Sequence, residues 1–119
     1  MTDIWQDNTL RLEGSRVIDR NIYVDPSIYK AEQERIFART WLWVAHETEL
    51  PEIGDYITTT VAGRPIVVSR NEDGKLYSFF NTCTHRGALL AVQAKGHAPD
   101  GFTCIYHAWC FGNDGKLLS

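Results

Sequence analysis

The sequence has 119 residues, 44% of them hydrophobic, and its twelve basic and fifteen acidic side chains give a net charge of −3. This length suits one domain with a modest core. The charges are interspersed and no apolar run approaches the ~20 residues of a membrane span, so we expect no nucleic-acid or membrane partner. The polar, acidic start does not resemble a signal peptide, and three cysteines cannot form a complete disulfide framework. These features predict a cytoplasmic protein.

A helical arm is expected over residues 1–40. Residues 1–24 have no clear periodicity. Asp25 followed by Pro26 is typical of a helix start, with Asp25 as the N-cap and Pro26 in the first turn. The stretch 26–40 then suits a helix with one mostly apolar face. The apolar residues of that face are Ile28, Ala31, Ile36 and Phe37.

A small antiparallel β domain is predicted over residues 41–119, so the fold class is mainly β. Short runs of β-branched and aromatic residues alternate with turn signals. The predicted strands cover residues 41–45, 55–61, 66–70 and 76–81. A turn is expected at 62–65, and Asp-Gly pairs at 73–74 and 114–115 predict hairpins. Residues 117–119 would begin a further strand, so we expect the sequence to be part of a longer protein.

Two short segments each combine one cysteine with one histidine: Cys83-Thr84-His85 and Cys104-Ile105-Tyr106-His107. Zinc sites of two Cys and two His usually place like residues in one knuckle. A mixed-ligand [2Fe–2S] cluster instead gives one iron two thiolates and the other iron two imidazoles. Two loops that each supply one Cys and one His could bridge both irons. The pattern therefore favours such a cluster, with a structural zinc module as the alternative.

The segments 83–88 (CTHRGA) and 104–109 (CIYHAW) resemble the two cluster-binding boxes of bacterial Rieske oxygenases that hydroxylate aromatic rings. The similarity extends to residues 25–56 and 113–117, so it covers nearly the whole chain. One departure is Ala at position 108, where many members have Gly. Another is a long segment between the boxes, which we expect to form an enlarged loop around residues 96–100.

The resemblance assigns roles to the four ligand candidates. It implies that Cys83 and Cys104 bind the inner iron of the [2Fe–2S] cluster, and that His85 and His107 bind the outer iron. It implies no catalytic residue within this stretch. The respiratory Rieske proteins add a disulfide and a serine hydroxyl beside the cluster, which these boxes lack. Fewer donors to the sulfurs predict a reduction potential at the low end of the Rieske range.

The resemblance further implies the N-terminal part of an oxygenase α subunit. An NADH-dependent reductase, directly or through a ferredoxin, would reduce the cluster. The electron would pass to a mononuclear Fe(II) in a neighbouring subunit of an α3 or α3β3 assembly. That iron would activate O2 to hydroxylate an aromatic compound, and residues 107–109 are most similar to those of members that act on aromatic carboxylates. His46 and His97 form no suitable pair, so that iron is expected in a missing C-terminal domain. The rival hypothesis is a free-standing Rieske ferredoxin, against which the helical arm argues.

Other residues near the boxes receive structural interpretations. Cys110 is interpreted as a small buried hydrophobe, and His46 and His97 as surface or loop residues. Arg86 is either a surface charge or a side chain packed over the cluster. Three aromatic residues are expected to pack beneath the cluster, and two tryptophans to pack along the first strand. These are Tyr106, Trp109 and Phe111, and Trp41 and Trp43.

Overall fold

The structure, a computed structural model, describes residues 20–119. Most of the predicted N-terminal arm, residues 1–19, lies outside the described residues. By internal contacts the chain divides into two compact units, Met1–Trp41 and Leu42–Ser119, which are described separately. Within residues 20–119, no helix is long and apolar enough to cross a membrane.

The first unit contains a helix that starts as the sequence predicts. A 3-10 helix at Arg20–Tyr23 precedes α1, which covers Pro26–Glu32. Asp25 is the N-cap, because its Oδ1 accepts the backbone N–H of Ser27 at 2.8 Å. The chain then widens into a π-helix over Gln33–Phe37. The predicted helix of residues 26–40 is therefore α-helical only in its first half.

The predicted apolar face of this helix is buried at one position only. Ile28 is 6% exposed, whereas Ile36 and Phe37 are 38% and 37% exposed. The switch to π-helix after Glu32 changes the angular spacing of the side chains. Positions spaced for a continuous α-helix therefore do not form one buried stripe.

The predicted strand at 41–45 is not formed, and this segment has no regular structure. Its aromatic and β-branched residues favour a strand, but no strand of the described residues pairs with it. The predicted packing of its tryptophans is also wrong, because Trp41 and Trp43 are 102% and 78% exposed. A 3-10 helix follows at Glu47–Glu49, and His46 caps it by accepting the N–H of Thr48 at Nδ1, 3.3 Å away.

Four antiparallel strands form the main sheet of the second unit. They are β1 (Asp55–Val61), β2 (Arg64–Arg70), β3 (Leu76–Phe80) and β4 (Lys95–His97), in the order β3-β2-β1-β4. β1 has the predicted bounds. The β1–β2 turn contains only Ala62 and Gly63, at φ +50° and +73°, a geometry that matches the twist of the strands. The predicted turn over 62–65 is too long, because Arg64 already pairs with Val61.

The segment predicted as an enlarged loop around 96–100 is a strand in its first part, which belongs to β4, and a turn only over residues 98–101. β4 pairs with β1 in the register Asp55 to His97. His97 Nδ1 lies 2.9 Å from Asp55 Oδ1, so side chains reinforce the backbone pairing. Three residues with a central glycine carry almost no local strand signal, which is why only the tertiary pairing reveals β4.

A second, two-stranded sheet consists of β5 (Phe102–Thr103) and β6 (Cys110–Phe111). The hairpin predicted after it is confirmed, since the N–H of Gly112 donates to the carbonyl of Lys116 at 2.9 Å. One core cluster joins residues of both sheets and both box segments: Val67, Cys83, Leu90, Ala91, Phe102, Cys104 and Phe111. Antiparallel sheets with one short helix confirm the predicted mainly β fold class.

Candidate metal centre

The two box segments fold into loops with the same backbone hydrogen bonds. In the first loop, the N–H of Cys83 donates to the carbonyl of Ala88 at 2.7 Å, and the N–H of Gly87 donates back to Cys83 at 2.8 Å. In the second loop, the corresponding bonds join Cys104 to Trp109 and Ala108 to Cys104, at 2.8 and 2.9 Å. Each loop is thus a closed ring of six residues that begins at its cysteine.

A left-handed residue lets each ring close. Gly87 has φ +77° in the first loop, and Ala108 has φ +60° at the corresponding position of the second. The alanine that departs from the family pattern therefore occupies a conformation that favours glycine. The alanine costs backbone strain, but the second loop keeps the same shape as the first.

The thiols of Cys83 and Cys104 meet inside the core. Each residue is 3% exposed and belongs to the same buried core cluster, and the Cys83 thiol is close enough to lower the pKa of Cys104. The pKa of Cys104 is lowered, chiefly because the backbone N–H of Tyr106 donates to its sulfur; the Cys83 thiol and the N–H of His107 add to this, while burial opposes it. These donors favour the thiolate, which is the form that binds metals.

The imidazoles of His85 and His107 meet at the surface. Both residues are exposed, and their ring centroids lie 4.6 Å apart at an angle of 71°. The histidine is third in the first loop and fourth in the second, yet the two rings come together. Like donors are therefore paired across the loops, with the sulfurs inside and the imidazoles outside.

Aromatic side chains surround the two histidines. Trp109 is stacked on His85 with centroids 4.6 Å apart and planes at 14°, and Tyr106 lies edge-on to His107 at 4.1 Å. Arg86 is exposed, with its guanidinium 5.8 Å from the Tyr106 ring. Of its two proposed roles, the structure thus supports a surface charge that packs on a neighbouring ring.

The expectation for the three aromatic residues near the boxes is correct in part. Phe111 is 3% exposed and belongs to the core cluster, against which the half-buried Trp109 packs. Tyr106, at 60% exposure, lies at the surface and not beneath the loops. Its ring follows the position of its neighbour His107, which the closed loop turns outward.

The remaining cysteine and histidines stand apart from the four candidates. Cys110 is half-buried, less than predicted, with its Sγ 3.5 Å from Thr103 Oγ1. Its thiol pKa is lowered by hydrogen bonds from the side chains of Thr103 and then Ser119. His46 is an exposed helix cap, and His97 lies at the surface, 55% exposed, within β4. The surface interpretation of both histidines is thus correct.

The donor set can be compared with the needs of a metal group. Within residues 20–119, no group of three or more His, Cys, Asp or Glu side chains converges to hold a metal ion. The candidates instead form a thiol pair and an imidazole pair. That division has the chemistry of a two-iron cluster in which one iron takes two sulfurs and the other two nitrogens. The residues therefore fit a mixed-ligand [2Fe–2S] group.

A family model described as the Rieske [2Fe–2S] domain matches residues 40–119. The chain belongs to the Rieske [2Fe–2S] domain family. Domains of this family bind a [2Fe–2S] cluster, so the predicted cofactor and the recognised family are confirmed. The match contains both loops and both sheets described above.

The Rieske domain is similar to part of much longer oxygenase subunits. It is 39% identical to the anthranilate 1,2-dioxygenase large subunit of Acinetobacter baylyi, over 89% of this chain and 22% of that subunit. A naphthalene 1,2-dioxygenase structure matches with a TM-score of 0.77 and 41% identity, over 82% of this chain and 22% of that one. A quaternary ammonium Rieske monooxygenase matches with a TM-score of 0.77 and 42% identity, over 83% and 27%. The chain thus spans 22–27% of the length of these relatives.

Two buried asparagines beside the loops were not singled out from the sequence. Asn81 and Asn113 are 3% and 4% exposed. A sequence signal does exist, because asparagine at the end of a predicted strand or at the start of a predicted turn often bonds nearby backbone. That signal does not distinguish a solvent-exposed turn from a buried contact.

Proposed function

We propose that Cys83, His85, Cys104 and His107 hold a Rieske [2Fe–2S] cluster and that the domain transfers single electrons. The observation that carries the proposal is the pairing of like donors, thiols inside the core and imidazoles at the surface. Each loop supplies one member of each pair. A cluster with one thiolate-bound and one imidazole-bound iron would therefore join the two loops. When bound, such a group accepts and releases electrons at a potential set by its surroundings.

The chain's own residues prepare this site in two ways. The backbone N–H groups of Tyr106 and His107 lower the pKa of Cys104 and so favour its thiolate. The core around the two cysteines keeps water away from the sulfurs, while the exposed imidazoles of His85 and His107 leave one side open to an electron-transfer partner. Burial on one side and access on the other suit an electron carrier.

We infer that the complete protein is the α subunit of a Rieske oxygenase that hydroxylates an aromatic compound with O2. The similarity to an anthranilate dioxygenase supports an aromatic carboxylate as the substrate class. The mononuclear Fe(II) that activates O2 would belong to a part of the protein outside residues 1–119, in keeping with the small share of the relatives that this chain spans. The substrate would be bound there too.

The partners follow from the same inference. The electron source would be an NADH-dependent reductase, with or without a ferredoxin. The structure of the similar quaternary ammonium Rieske monooxygenase gives insights into electron transfer between subunits of that enzyme. This similarity supports an α3 or α3β3 assembly in which the cluster of one subunit serves the iron of its neighbour. A reducing, cytoplasmic location would suit the free thiols among the described residues.

We further propose that residues 1–40 form an arm and residues 41–119 the Rieske domain. Two observations support this boundary. The contacts divide the chain after Trp41, and the family match begins at residue 40.

Iron and acid-labile sulfide analysis of anaerobically prepared protein, with an EPR spectrum after dithionite reduction, tests the cluster. Two irons, two sulfides and a rhombic signal of low average g are expected. Cys104→Ser should remove all three. Cys110→Ser is the matched control, since it changes a cysteine six residues away that lies outside the donor pairs, and it should leave them intact.

Three results would count against the proposal. Zinc without sulfide would point to a structural module. Loss of iron in Cys110→Ser, together with retention in Cys104→Ser, would overturn the ligand assignment. For the oxygenase inference, the complete subunit with reductase, O2 and an aromatic carboxylate should give a hydroxylated product; electron transfer without product under those conditions would contradict that inference.

A further inference from the structure

Three buried polar side chains stand out among the described residues: Ser69, Asn81 and Asn113, at 0%, 3% and 4% exposure. Each asparagine lies next to one of the two loops that carry the ligand candidates. A buried amide is costly unless its donors and acceptors are all engaged. The partners of these two side chains therefore show what they hold in place.

Asn81 closes the first loop segment. Its Oδ1 accepts the N–H groups of Leu90 and Ala91 at 3.0 and 2.9 Å, and its Nδ2 donates to the carbonyl of Ala91 at 2.7 Å. Its own backbone N–H donates to the carbonyl of Pro65 in β2 at 2.9 Å. One residue thus ties both ends of the segment that carries Cys83 and His85 to the sheet.

Asn113 closes the second loop segment in a similar way. Its Nδ2 donates to the carbonyls of Ala98 and Pro99 at 3.0 and 3.3 Å, so it joins the chain before Cys104 to the chain after His107. Its Oδ1 accepts a hydrogen bond from the hydroxyl of Ser69. Ser69 belongs to β2, the strand that also anchors Asn81.

The two loops therefore share one frame. Residues 81–94 contain no helix or strand, so backbone pairing does not hold the first loop. Amide side chains supply the missing hydrogen bonds. The Asn81 side chain ties residues 90–91 to a residue whose backbone N–H is bonded to β2, and the Asn113 side chain is bonded to Ser69 of β2 directly. A cluster that bridges two loops needs a set separation between them, and the two asparagines can provide it through β2.

We propose that Asn81 and Asn113 are positioning residues, each holding one ligand-bearing loop on β2 at the separation that a bridging cluster requires. This rests on the proposed ligand assignment. The hydrogen bonds of the two side chains go to backbone atoms and to Ser69, so each asparagine acts on the ligands through the loop backbone. Ligand-orienting partners of metal sites have large effects on metal retention when removed.

The test compares Asn81→Ala and Asn113→Ala with Asn71→Ala, a matched control in the β2–β3 turn, all in the cluster-loaded protein. Hydrogen exchange measured by mass spectrometry should be faster in residues 82–91 of Asn81→Ala and in residues 104–112 of Asn113→Ala. In each variant, exchange in the other loop should be unchanged. Cluster loss to an iron chelator should be about tenfold faster in both variants, and their EPR lines broader. Asn71→Ala should match the unchanged protein in every measurement.

If hydrogen exchange rose equally in both loops and in the sheet, with unchanged EPR line widths, the asparagines would contribute only to the general stability of the core. That result would overturn the proposal. Should Asn81→Ala fail to fold, Asn81→Asp keeps the two accepted N–H bonds and loses the donor to Ala91. It should then show an intermediate rate of cluster loss, and an unchanged rate would also overturn the proposal. Absence of iron from the unchanged protein would instead refute the proposed function.

Discussion

The substitutions Gly87→Ala and Ala108→Gly, at equivalent positions of the two loops, should change the free energy of unfolding in opposite directions. Gly87 and Ala108 both have left-handed backbone, at φ +77° and +60°. A β-carbon costs about 1–2 kcal/mol in this region, and the smaller entropy of the unfolded chain returns about 0.4–1 kcal/mol. We therefore expect Gly87→Ala to lower the free energy of unfolding by about 0.5–1 kcal/mol and Ala108→Gly to raise it by a similar amount.

Steric clash does not complicate the first substitution, because a β-carbon built on Gly87 meets no atom within 4 Å. Gly74, in the β2–β3 turn, has the same φ of +77° and the same open surroundings. Gly74→Ala is therefore a control that carries the same backbone cost away from the cysteines.

Thermal unfolding followed by tryptophan fluorescence measures the effect, with the visible absorbance of the cluster recorded in parallel. For a domain of this size the expected shifts in Tm are about 2–8 °C. Gly87→Ala and Gly74→Ala should lower Tm alike, but only Gly87→Ala should hasten cluster loss, because its loop contains Cys83. A neutral Gly87→Ala or a destabilising Ala108→Gly would contradict the equivalence of the two loop positions.

Three further outcomes are expected. Gly101→Ala should destabilise the protein by about 2–5 kcal/mol, because Gly101 has φ +90° and a β-carbon there would collide with the carbonyl oxygen of Phe111. A near-normal urea midpoint would contradict this. The pKa of Asp55 is lowered by the backbone N–H of Glu52 first and the His97 side chain second. That stabilisation is complete above the ordinary pKa of 3.8 and is lost as the pH falls through the lower folded value. Asp55→Asn should therefore have a lower Tm than the unchanged protein near neutral pH and converge with it as the pH falls through that lowered value. Parallel curves of Tm against pH would exclude this contribution. The reduction potential should lie toward the low end of about −150 to +300 mV by spectroelectrochemical titration, and a value near the upper end would show stronger donors to the sulfurs than the boxes suggest.

Several features were readable from local sequence. Asp25 followed by Pro26 marks the start of α1, and alternating β-formers give the bounds of β1. The Asp-Gly pair at 114–115 predicts the last hairpin. Each of these depends on residues within a few positions of one another, which is the range over which caps and turns act. The family, too, follows from two short boxes, although the ligand assignment itself stays a prediction.

Other features depend on contacts between distant residues. The strand predicted at 41–45 does not form because no strand among the described residues pairs with it, and β4 forms because β1 offers a partner. His97 contacts Asp55 from 42 positions away, and Asn113 contacts Ser69 from 44 positions away. A local pattern carries no information about such partners. The same side chain can be a solvated turn residue or a buried residue that hydrogen-bonds distant segments, and the rest of the fold decides which.

The division between local pattern and folded chain is clearest at the metal centre. The residue types alone indicate which side chains could bind iron, because thiols and imidazoles are the chemistry that the metal selects. The resemblance of the two boxes also implies that like donors are paired. The geometry of the pairs is visible only after folding, when the thiols of Cys83 and Cys104 meet inside the core and the imidazoles of His85 and His107 meet at the surface. No local pattern specifies this geometry, because the mutual position of two loops depends on the strands that hold them.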